Sequence, residues 1–182
     1  MTDEIRTRRL LMRRWQPAGR AEFAQINADR QVMRYFPTAL TRQESDALID
    51  RIKAYSAPHG YGLWAVLVER RLVGFTVLSR VTWEADFTPA LEIGWRLARS
   101  AWGHGYASDA AVAALCRGSG TWTASSASPQ RQTSRPRRSW KRIGLHHVDD
   151  FHHPQLADRH PLRRHLFYRA DGETWQPPPA LL

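Results

Sequence analysis

A glycine-rich turn is the clearest chemical signal in this chain. Residues 102–108 read Trp-Gly-His-Gly-Tyr-Ala-Ser, between a predicted strand and a predicted helix. Glycine lets a ligand approach the backbone closely, and the free amides of a helix's first turn bind anions. No Gly-Lys-Ser/Thr follows, as a Walker A loop requires, and Ser108 stands where Gly-x-Gly-x-x-Gly has its third glycine. The turn predicts a pyrophosphate site, with a turn that binds no ligand as the alternative.

Glu92 is the second signal, because it is an acid inside an otherwise apolar predicted strand over residues 90–97. A carboxylate that faces a cleft from such a strand can act as a general base. Alternation places Glu92 on one face together with Gly94 and Arg96. For Glu92 taken by itself, a position on the solvent face of a half-exposed strand is the favoured alternative.

The elements that must position these residues follow from hydrophobic periodicity and turn signals. Thr41 and Glu44 form a capping-box pattern ahead of a run with apolar residues at helical spacing. The order β-α-α-β-β-β-α, followed by β-β, predicts an α/β fold with a mixed central sheet flanked by helices. Helices are predicted at 17–28, 41–56 and 106–116, and strands at 5–15, 62–69, 72–81, 90–97, 143–148 and 165–169.

The composition describes one folded domain with a strong positive charge. The chain has 182 residues, 27 Lys and Arg against 17 Asp and Glu, a formal charge of +10 and 42% hydrophobic residues. That charge suggests a nucleic acid or an anionic ligand. No apolar run approaches the roughly 20 residues of a membrane span, and residues 1–9 lack the apolar part of a secretory signal. Cys116 is the sole cysteine, so we expect a cytoplasmic protein without disulfides.

The positive charge is concentrated in residues 117–142, which contain seven Arg or Lys residues and no Asp or Glu. The rest of the chain carries only +3. Ser, Thr, Pro and Arg dominate the segment, and aliphatic side chains are almost absent, so it predicts a loop or disorder over 117–140. The charge is therefore a local anomaly rather than a property of the fold.

Two other functions, nucleic-acid binding and metal binding, have candidate residues in the sequence. The arginines from Arg131 to Arg142 could bind nucleic-acid phosphates, with Trp122 and Trp140 stacking on bases, although a solvated tract is the favoured interpretation. Histidines at 146, 147, 152 and 153, with aspartates at 149 and 150, could hold zinc or nickel. Their spacing matches no metal-ligand pattern, so we expect surface residues and no metal.

Two segments taken together carry a family resemblance. Residues 91–97, Leu-Glu-Ile-Gly-Trp-Arg-Leu, followed by residues 102–107, resemble the GNAT superfamily of acetyl-CoA-dependent N-acetyltransferases, above all its ribosomal-protein-alanine N-acetyltransferase type. The resemblance implies the GNAT fold, and we expect a single domain of this type over 1–170. Residues 171–182, with three consecutive prolines, predict a tail. It covers about residues 5–116, with supporting matches at 7–15, 32–36, 62–66, 141–145 and 160–165.

The resemblance also implies a reaction. An acetyl group passes directly from acetyl-CoA to a primary amine without a metal, and Glu92 matches the general base, which usually acts through water. The backbone after Gly94 pairs with the pantetheine arm, and the amides of the glycine turn bind the pyrophosphate. Ser100 replaces the Gln or Arg with which this phosphate motif usually begins. The implied cofactor-binding residues are Trp95, Leu97, Gly103, His104, Gly105, Tyr106, Ala107 and Ser108.

The implied acceptor is a protein N-terminus, with a small-molecule amine as the alternative. Tyr35, Phe36 and Trp83 are candidates for its pocket, although aromatic residues more often belong to the core. We expect a monomer or a homodimer, with neither a membrane nor a nucleic acid as partner.

Residues 117–140 depart from the family pattern. The family places a strand here that splays away from the Glu92 strand, followed by a turn and a helix, but the segment shows no apolar alternation. We therefore expect this strand to be missing or scrambled. Folding or activity should then be impaired, because a lost central strand leaves backbone groups unpaired and the stability margin is small.

A compensated frameshift over about residues 117–140, real or a sequencing error, would explain the departure. One choice of GC-rich codons for residues 121–140, read two bases on, encodes Leu-Asp-Arg-Val-Val-Ser-Phe-Thr and so begins like a strand. Sequencing the locus tests this hypothesis. We expect compensating insertions or deletions on either side of the segment, and an intact single frame through it would contradict the hypothesis.

Overall fold

Four stretches of the chain are described by the computed structural model: residues 4–59, 62–117, 121–127 and 134–179. They form a sheet of eight strands with helices on both faces. The strands are β1 Glu4–Arg6, β2 Leu11–Arg13, β3 Leu63–Val68, β4 Arg71–Arg80, β5 Leu91–Leu97, β6 Thr121–Ala127, β7 His146–His152 and β8 Arg164–Asp171. The helices are α1 Arg20–Ala28, α2 Arg42–His59, α3 Tyr106–Leu115 and α4 Ser134–Arg142, with short 3-10 turns at Pro17–Gly19 and Arg99–Ala101.

The sheet is mixed, as the sequence predicts. Its strand order is β1-β2-β3-β4-β5-β6-β8-β7, and each pair of neighbouring described strands is antiparallel except β5 with β6. Helices α1 and α2 pack on one face around Phe23, Ile49 and Phe75. Helix α3 packs on the other face around Ile93 and Leu115. The central strands are therefore covered on both sides, which suits the continuous apolar run of β3.

Helix α2 begins at the predicted capping box. The Thr41 N–H donates to Glu44 Oε2 over 2.7 Å, and the Glu44 N–H donates to Thr41 Oγ1 over 3.2 Å. These reciprocal bonds satisfy two amides at the start of the helix that have no partner within it. The helix predicted over residues 41–56 is confirmed, and Ile49 and Ile52 are buried against the sheet.

The strand predicted over residues 5–15 is a hairpin instead. Strands β1 and β2 pair antiparallel, and Thr7 Oγ1 closes the turn between them by accepting from the N–H groups of Arg9 and Leu10. A threonine hydroxyl that binds nearby amides favours a turn over continued strand pairing, which apolar patterning does not reveal. Arg8 and Arg9 therefore lie in the turn of this hairpin.

Helix α4 is followed by a glycine that a tryptophan covers. Gly144 has φ +86°, and Trp175 Nε1 donates to the carbonyl oxygen of Ile143 over 2.8 Å. A Cβ at Gly144 would lie 2.9 Å from Trp175 Nε1, so glycine suits both the conformation and the space. Because the helix and its glycine turn occupy residues up to 144, the strand predicted to begin at 143 begins only at His146.

A strand occupies the segment in which the sequence predicted none. Strand β6 pairs with β8 along seven residues and with β5 at two, and α4 supplies the helix that follows. The expectation of a missing or scrambled strand is wrong, because strand pairing joins backbone N–H and C=O groups that Ser, Thr and Ala also carry. Residues 118–120 and 128–133, for which disorder was also expected, lie outside the described residues. The frameshift hypothesis concerns the gene and stays a prediction.

An aromatic cluster joins the loop between β4 and β5 to the hairpin of β7 and β8. Trp83 stacks on Phe151 with ring centroids 5.5 Å apart, and Phe87 stacks on Phe167 at 4.1 Å. Trp83, a candidate for the acceptor pocket, thus packs against β7 and against His153 directly after it. The cluster fixes the loop that leads into β5.

His165 lies beside this cluster and is partly buried. Its ring centroid is 5.5 Å from that of Phe151 and 4.9 Å from that of His153. Both of its ring nitrogens are buried, with no hydrogen-bond partner among the described residues. Burial, and secondarily the charge of His153, lowers the pKa of His165 to about 4.

Acidification should destabilise the fold through His165. Because its pKa is about 4 in the folded chain against an ordinary 6.5, the unfolded chain binds more protons between these two values. The free energy of unfolding should therefore fall as the pH drops from 6.5 to 4, and it should fall less in His165→Asn. Denaturant unfolding at pH 7 and pH 4.5 measures this, with His146→Asn as an exposed control. Equal pH dependence in the wild type and His165→Asn would contradict the prediction.

Candidate active site

Strands β5 and β6 separate after two residues, and this opening defines the site. Strand β5 pairs with β4 along all seven of its residues, but its described pairs with β6 are only those at Leu91 and Glu92. Beyond Glu92 the edge of β5 that faces β6 runs alongside no described strand as far as Leu97. Backbone N–H and C=O groups at such an edge are available to an extended ligand.

Glu92 lies at the point where the two strands separate. It pairs with Ser79 of β4 on one side and with Thr123 of β6 on the other. Its neighbours Leu91 and Ile93 are buried in the core beneath α3, so alternation directs Glu92 to the opposite face, which α1 and α2 cover. The Glu92 residue is half-buried there.

Arg96 lies on the same face of β5 and ties both α1 and α2 to it. Its Nη1 donates to Asn27 Oδ1 over 2.6 Å, and Asn27 Nδ2 donates to Ser45 Oγ over 2.8 Å. The guanidinium carbon lies 4.1 Å from the ring centroid of Phe36. Burial lowers the pKa of Arg96 to about 10, so the side chain stays protonated at neutral pH. This cation holds the segment between α1 and α2, including the candidate pocket residue Phe36, against the strand that carries Glu92.

The glycine turn has the geometry of an anion site. Gly103 and Gly105 have φ values of +85° and +80°, in the left-handed region that favours glycine. The Gly105 carbonyl accepts from the N–H groups of Ser108 and Asp109 over 3.0 and 3.1 Å, which begins α3. The amides before Ser108 precede these first bonds and lie at the positive end of the helix dipole. They are placed to bind an anion such as a phosphate.

Two arginines beside this turn were not identified from the sequence. A Cβ at Gly105 would lie 3.2 Å from Arg9 Nη2 and 3.7 Å from Arg142 Nη1. Arg9 comes from the first hairpin and Arg142 from the end of α4, so no local pattern connects either of them to the turn. Arg9 is paired with Asp109, so the net positive charge that these side chains add to the field of the helix N-terminus is that of Arg142.

The sequence-predicted residues lie along one line from Glu92 to the start of α3. The strand rise of about 3.3 Å per residue puts Leu97 roughly 16 Å from Glu92. The side chains of Trp95 and Leu97 pack in the core, so β5 offers only their backbone groups to a ligand. Trp102 Nε1 donates to the Leu97 carbonyl over 2.9 Å and ties the glycine turn to the strand. The residues of the turn are Gly103, His104, Gly105, Tyr106, Ala107 and the buried Ser108.

A family match identifies this arrangement. Residues 9–146, more than half of the chain, match the family described as Acetyltransferase (GNAT) domain. The chain belongs to the GNAT acetyltransferase family. The predicted class of enzyme, an N-acetyltransferase that uses acetyl-CoA, is thereby confirmed.

Solved GNAT structures share the fold of this chain. An acetyltransferase from Bacillus anthracis has a TM-score of 0.75 at 21% identity, over 93% of this chain and 99% of that one. RimL, a ribosomal L7/L12 alpha-N-protein acetyltransferase in complex with coenzyme A, has 0.74 at 12% identity, over 92% and 97%. RimJ of Mycobacterium smegmatis, in complex with a CoA disulfide, has 0.67 at 17% identity, over 90% and 82%. The GNAT fold predicted from the sequence is confirmed.

The residues considered for other functions lie elsewhere. In the described ranges, no three His, Cys, Asp or Glu side chains are grouped as a metal site requires. His147 forms a pair with Asp150 at 3.0 Å instead. Trp140, considered as a base-stacking residue, is 4% exposed and packs on Tyr168. The side chain of Trp122 and all of Arg131 lie outside what the structure describes. None of the helices described is long and apolar enough to cross a membrane.

Substitution of the two turn glycines should separate backbone strain from crowding. Both Gly103→Ala and Gly105→Ala place a side chain in the left-handed region, at a cost of roughly 1–2 kcal/mol each. An added methyl group at Gly103 meets nothing within 4 Å, whereas at Gly105 it meets Arg9. Thermal unfolding should therefore show a larger loss of stability for Gly105→Ala than for Gly103→Ala. Equal losses would contradict the crowding at Gly105.

Proposed function

We propose that this chain transfers the acetyl group of acetyl-CoA to a primary amine, with Glu92 as general base and a protein N-terminus as acceptor. The observation that carries the proposal is the separation of β5 from β6 at Glu92, beyond which β5 runs toward the glycine turn. The site therefore combines a strand edge, which suits the amide-containing arm of coenzyme A, with a helix N-terminus, which suits its pyrophosphate.

The residues present fit acetyl-CoA. The amides at the start of α3 suit the pyrophosphate, and Arg142, together with Arg9 paired to Asp109, leaves the surroundings net positive. The backbone of β5 at Trp95 and Leu97 suits the amides of the pantetheine arm, which pair as an added strand does. These two contacts orient the thioester toward Glu92, at the far end of the open edge. Acetyl-CoA supplies the activated acetyl group.

Glu92 then acts on the acceptor. The amine nitrogen attacks the thioester carbonyl carbon, the carbon–sulfur bond breaks, and its electron pair leaves with the sulfur as a thiolate. The proton that the amine loses passes to the Glu92 carboxylate, directly or through a water molecule. Removal of this proton as the new bond forms prevents reversal and contributes typically 10²–10⁴-fold to such a step.

A protein N-terminus as acceptor is supported by the neighbouring fold of RimL, which is described as acting on ribosomal L7/L12. The face of β5 that carries Glu92 and Arg96 is bordered by the segment between α1 and α2. In this segment, Phe36 is 39% exposed. An exposed aromatic ring beside the catalytic face suits a peptide side chain. A small-molecule amine is the alternative acceptor.

Replacement of Glu92 tests the proposal. Glu92→Gln cannot accept the proton, so kcat should fall about 10²–10⁴-fold while the affinity for acetyl-CoA changes little. Thiol release from acetyl-CoA in the presence of peptides with free Ala or Ser N-termini measures the rate, and calorimetry measures binding. Glu22→Gln, an exposed carboxylate on α1, is the matched control.

Each result has a definite meaning. No acetyl-CoA binding by the wild type would overturn the proposed enzyme. Full activity of Glu92→Gln would remove the general base from the proposal. Turnover of small amines such as spermidine but not of peptides would establish the alternative acceptor.

A further inference from the structure

We propose that Arg9 is a positioning residue that holds the glycine turn and the first turn of α3 in the form that receives the pyrophosphate. The inference rests on the proposed function, because it assumes that this turn binds acetyl-CoA. It concerns a residue of the N-terminal hairpin, 95 positions along the chain from His104.

Arg9 uses three of its nitrogen atoms on the turn. Its Nε and Nη2 both lie near Asp109 Oδ2, at 2.8 and 2.7 Å, and its Nη1 donates to the His104 carbonyl oxygen over 2.8 Å. The guanidinium carbon lies 5.2 Å from the ring centroid of Tyr106, and that ring stacks on His104 at 5.3 Å. One side chain thus contacts both sides of Gly105, the residue at which the turn becomes a helix.

The charges explain why this turn needs an arginine. Asp109 places a carboxylate in the first turn of α3, where it is only 12% exposed. A carboxylate there is favoured by the helix dipole but would repel a bound phosphate. Arg9 neutralises it through a charge-assisted pair and leaves the amide groups before Ser108 for the ligand.

The same contacts indicate that Arg9 acts through the turn. Three nitrogens of its guanidinium are directed at Asp109 and His104, so its orientation is set by the protein. A lysine carries the charge but lacks the planar fork, and it cannot hold the carboxylate and the carbonyl together. Arg8, its neighbour in the hairpin turn, is exposed and makes no side-chain contact that the structure records, so it provides a matched control.

The test compares Arg9→Met with Arg9→Lys, Asp109→Asn and the control Arg8→Met. We expect the dissociation constant of acetyl-CoA, measured by calorimetry, to rise roughly tenfold in Arg9→Met, as loss of charge-assisted hydrogen bonds predicts. Arg9→Lys should recover part of this loss, and Arg8→Met should bind like the wild type. Melting temperatures should remain close to that of the wild type.

Hydrogen exchange of the ligand-free protein distinguishes a positioning role of Arg9 from a direct contact with the phosphate and from a purely structural role. In Arg9→Met, exchange should accelerate at the amides of residues 103–107 and remain unchanged along β5 and the rest of α3. Unchanged exchange together with weakened binding would make Arg9 a direct phosphate contact and overturn the proposal. General acceleration with a lower melting temperature would make its role purely structural and overturn it as well.

Two further outcomes keep the inference separate from the proposed function. If Arg9→Met fails to fold, Asp109→Asn decides the question, because it removes the negative charge that pairs with Arg9 and should show the same local acceleration to a smaller degree. Wild-type protein that binds no acetyl-CoA overturns the proposed function. Wild-type protein that binds it, with Arg9→Met equal in affinity and exchange, overturns this inference alone.

Discussion

The structure depends on the fact that β5 pairs fully with one neighbour and only briefly with the other. Its seven pairs with β4 fix it in the sheet, whereas beyond its two pairs with β6 no described strand runs along its other edge. Parallel neighbours require a crossover, and here the crossover is α3. The chain that connects β5 to β6 therefore also places the N-terminus of α3 beside the gap between these two strands. The edge of β5 and the first turn of α3 thus both offer backbone N–H groups to one extended ligand.

Burial of Arg96 supplies the second constraint. Arg96 is 8% exposed, and burying its charge is costly unless the guanidinium is hydrogen-bonded. Among the described residues, its Nη1 donates to Asn27 of α1, which in turn donates to Ser45 of α2, whereas its Nε has no partner. The face of β5 that carries Glu92 is thus covered by helices whose position is set by a polar contact. Apolar packing around Phe23 and Phe75 completes this layer.

The sequence predicts local features well because their causes are local. The capping box at Thr41 and the first hydrogen bonds of α3, which the Gly105 carbonyl accepts, each join residues within a few positions of one another. Strand β6 was missed because its composition hides a backbone pairing that depends on β8, some 40 positions later. Arg9 was missed for the same reason, since its partner Asp109 is 100 positions away. Contacts between residues distant in sequence leave no periodic pattern. The gap between β5 and β6 depends on such contacts, because the two strands are far apart in the sequence.

Trp175 has a practical consequence for where this protein can be cut. A boundary at residue 170, where the sequence places the end of the domain, would remove the indole that covers Gly144. The carbonyl of Ile143 would lose its donor, and the partly buried ring would leave a gap beside the core. A truncated form intended for expression should therefore keep the chain through at least residue 175. The proline-rich stretch thus contains the side chain that packs on the turn directly after α4 and hydrogen-bonds to it.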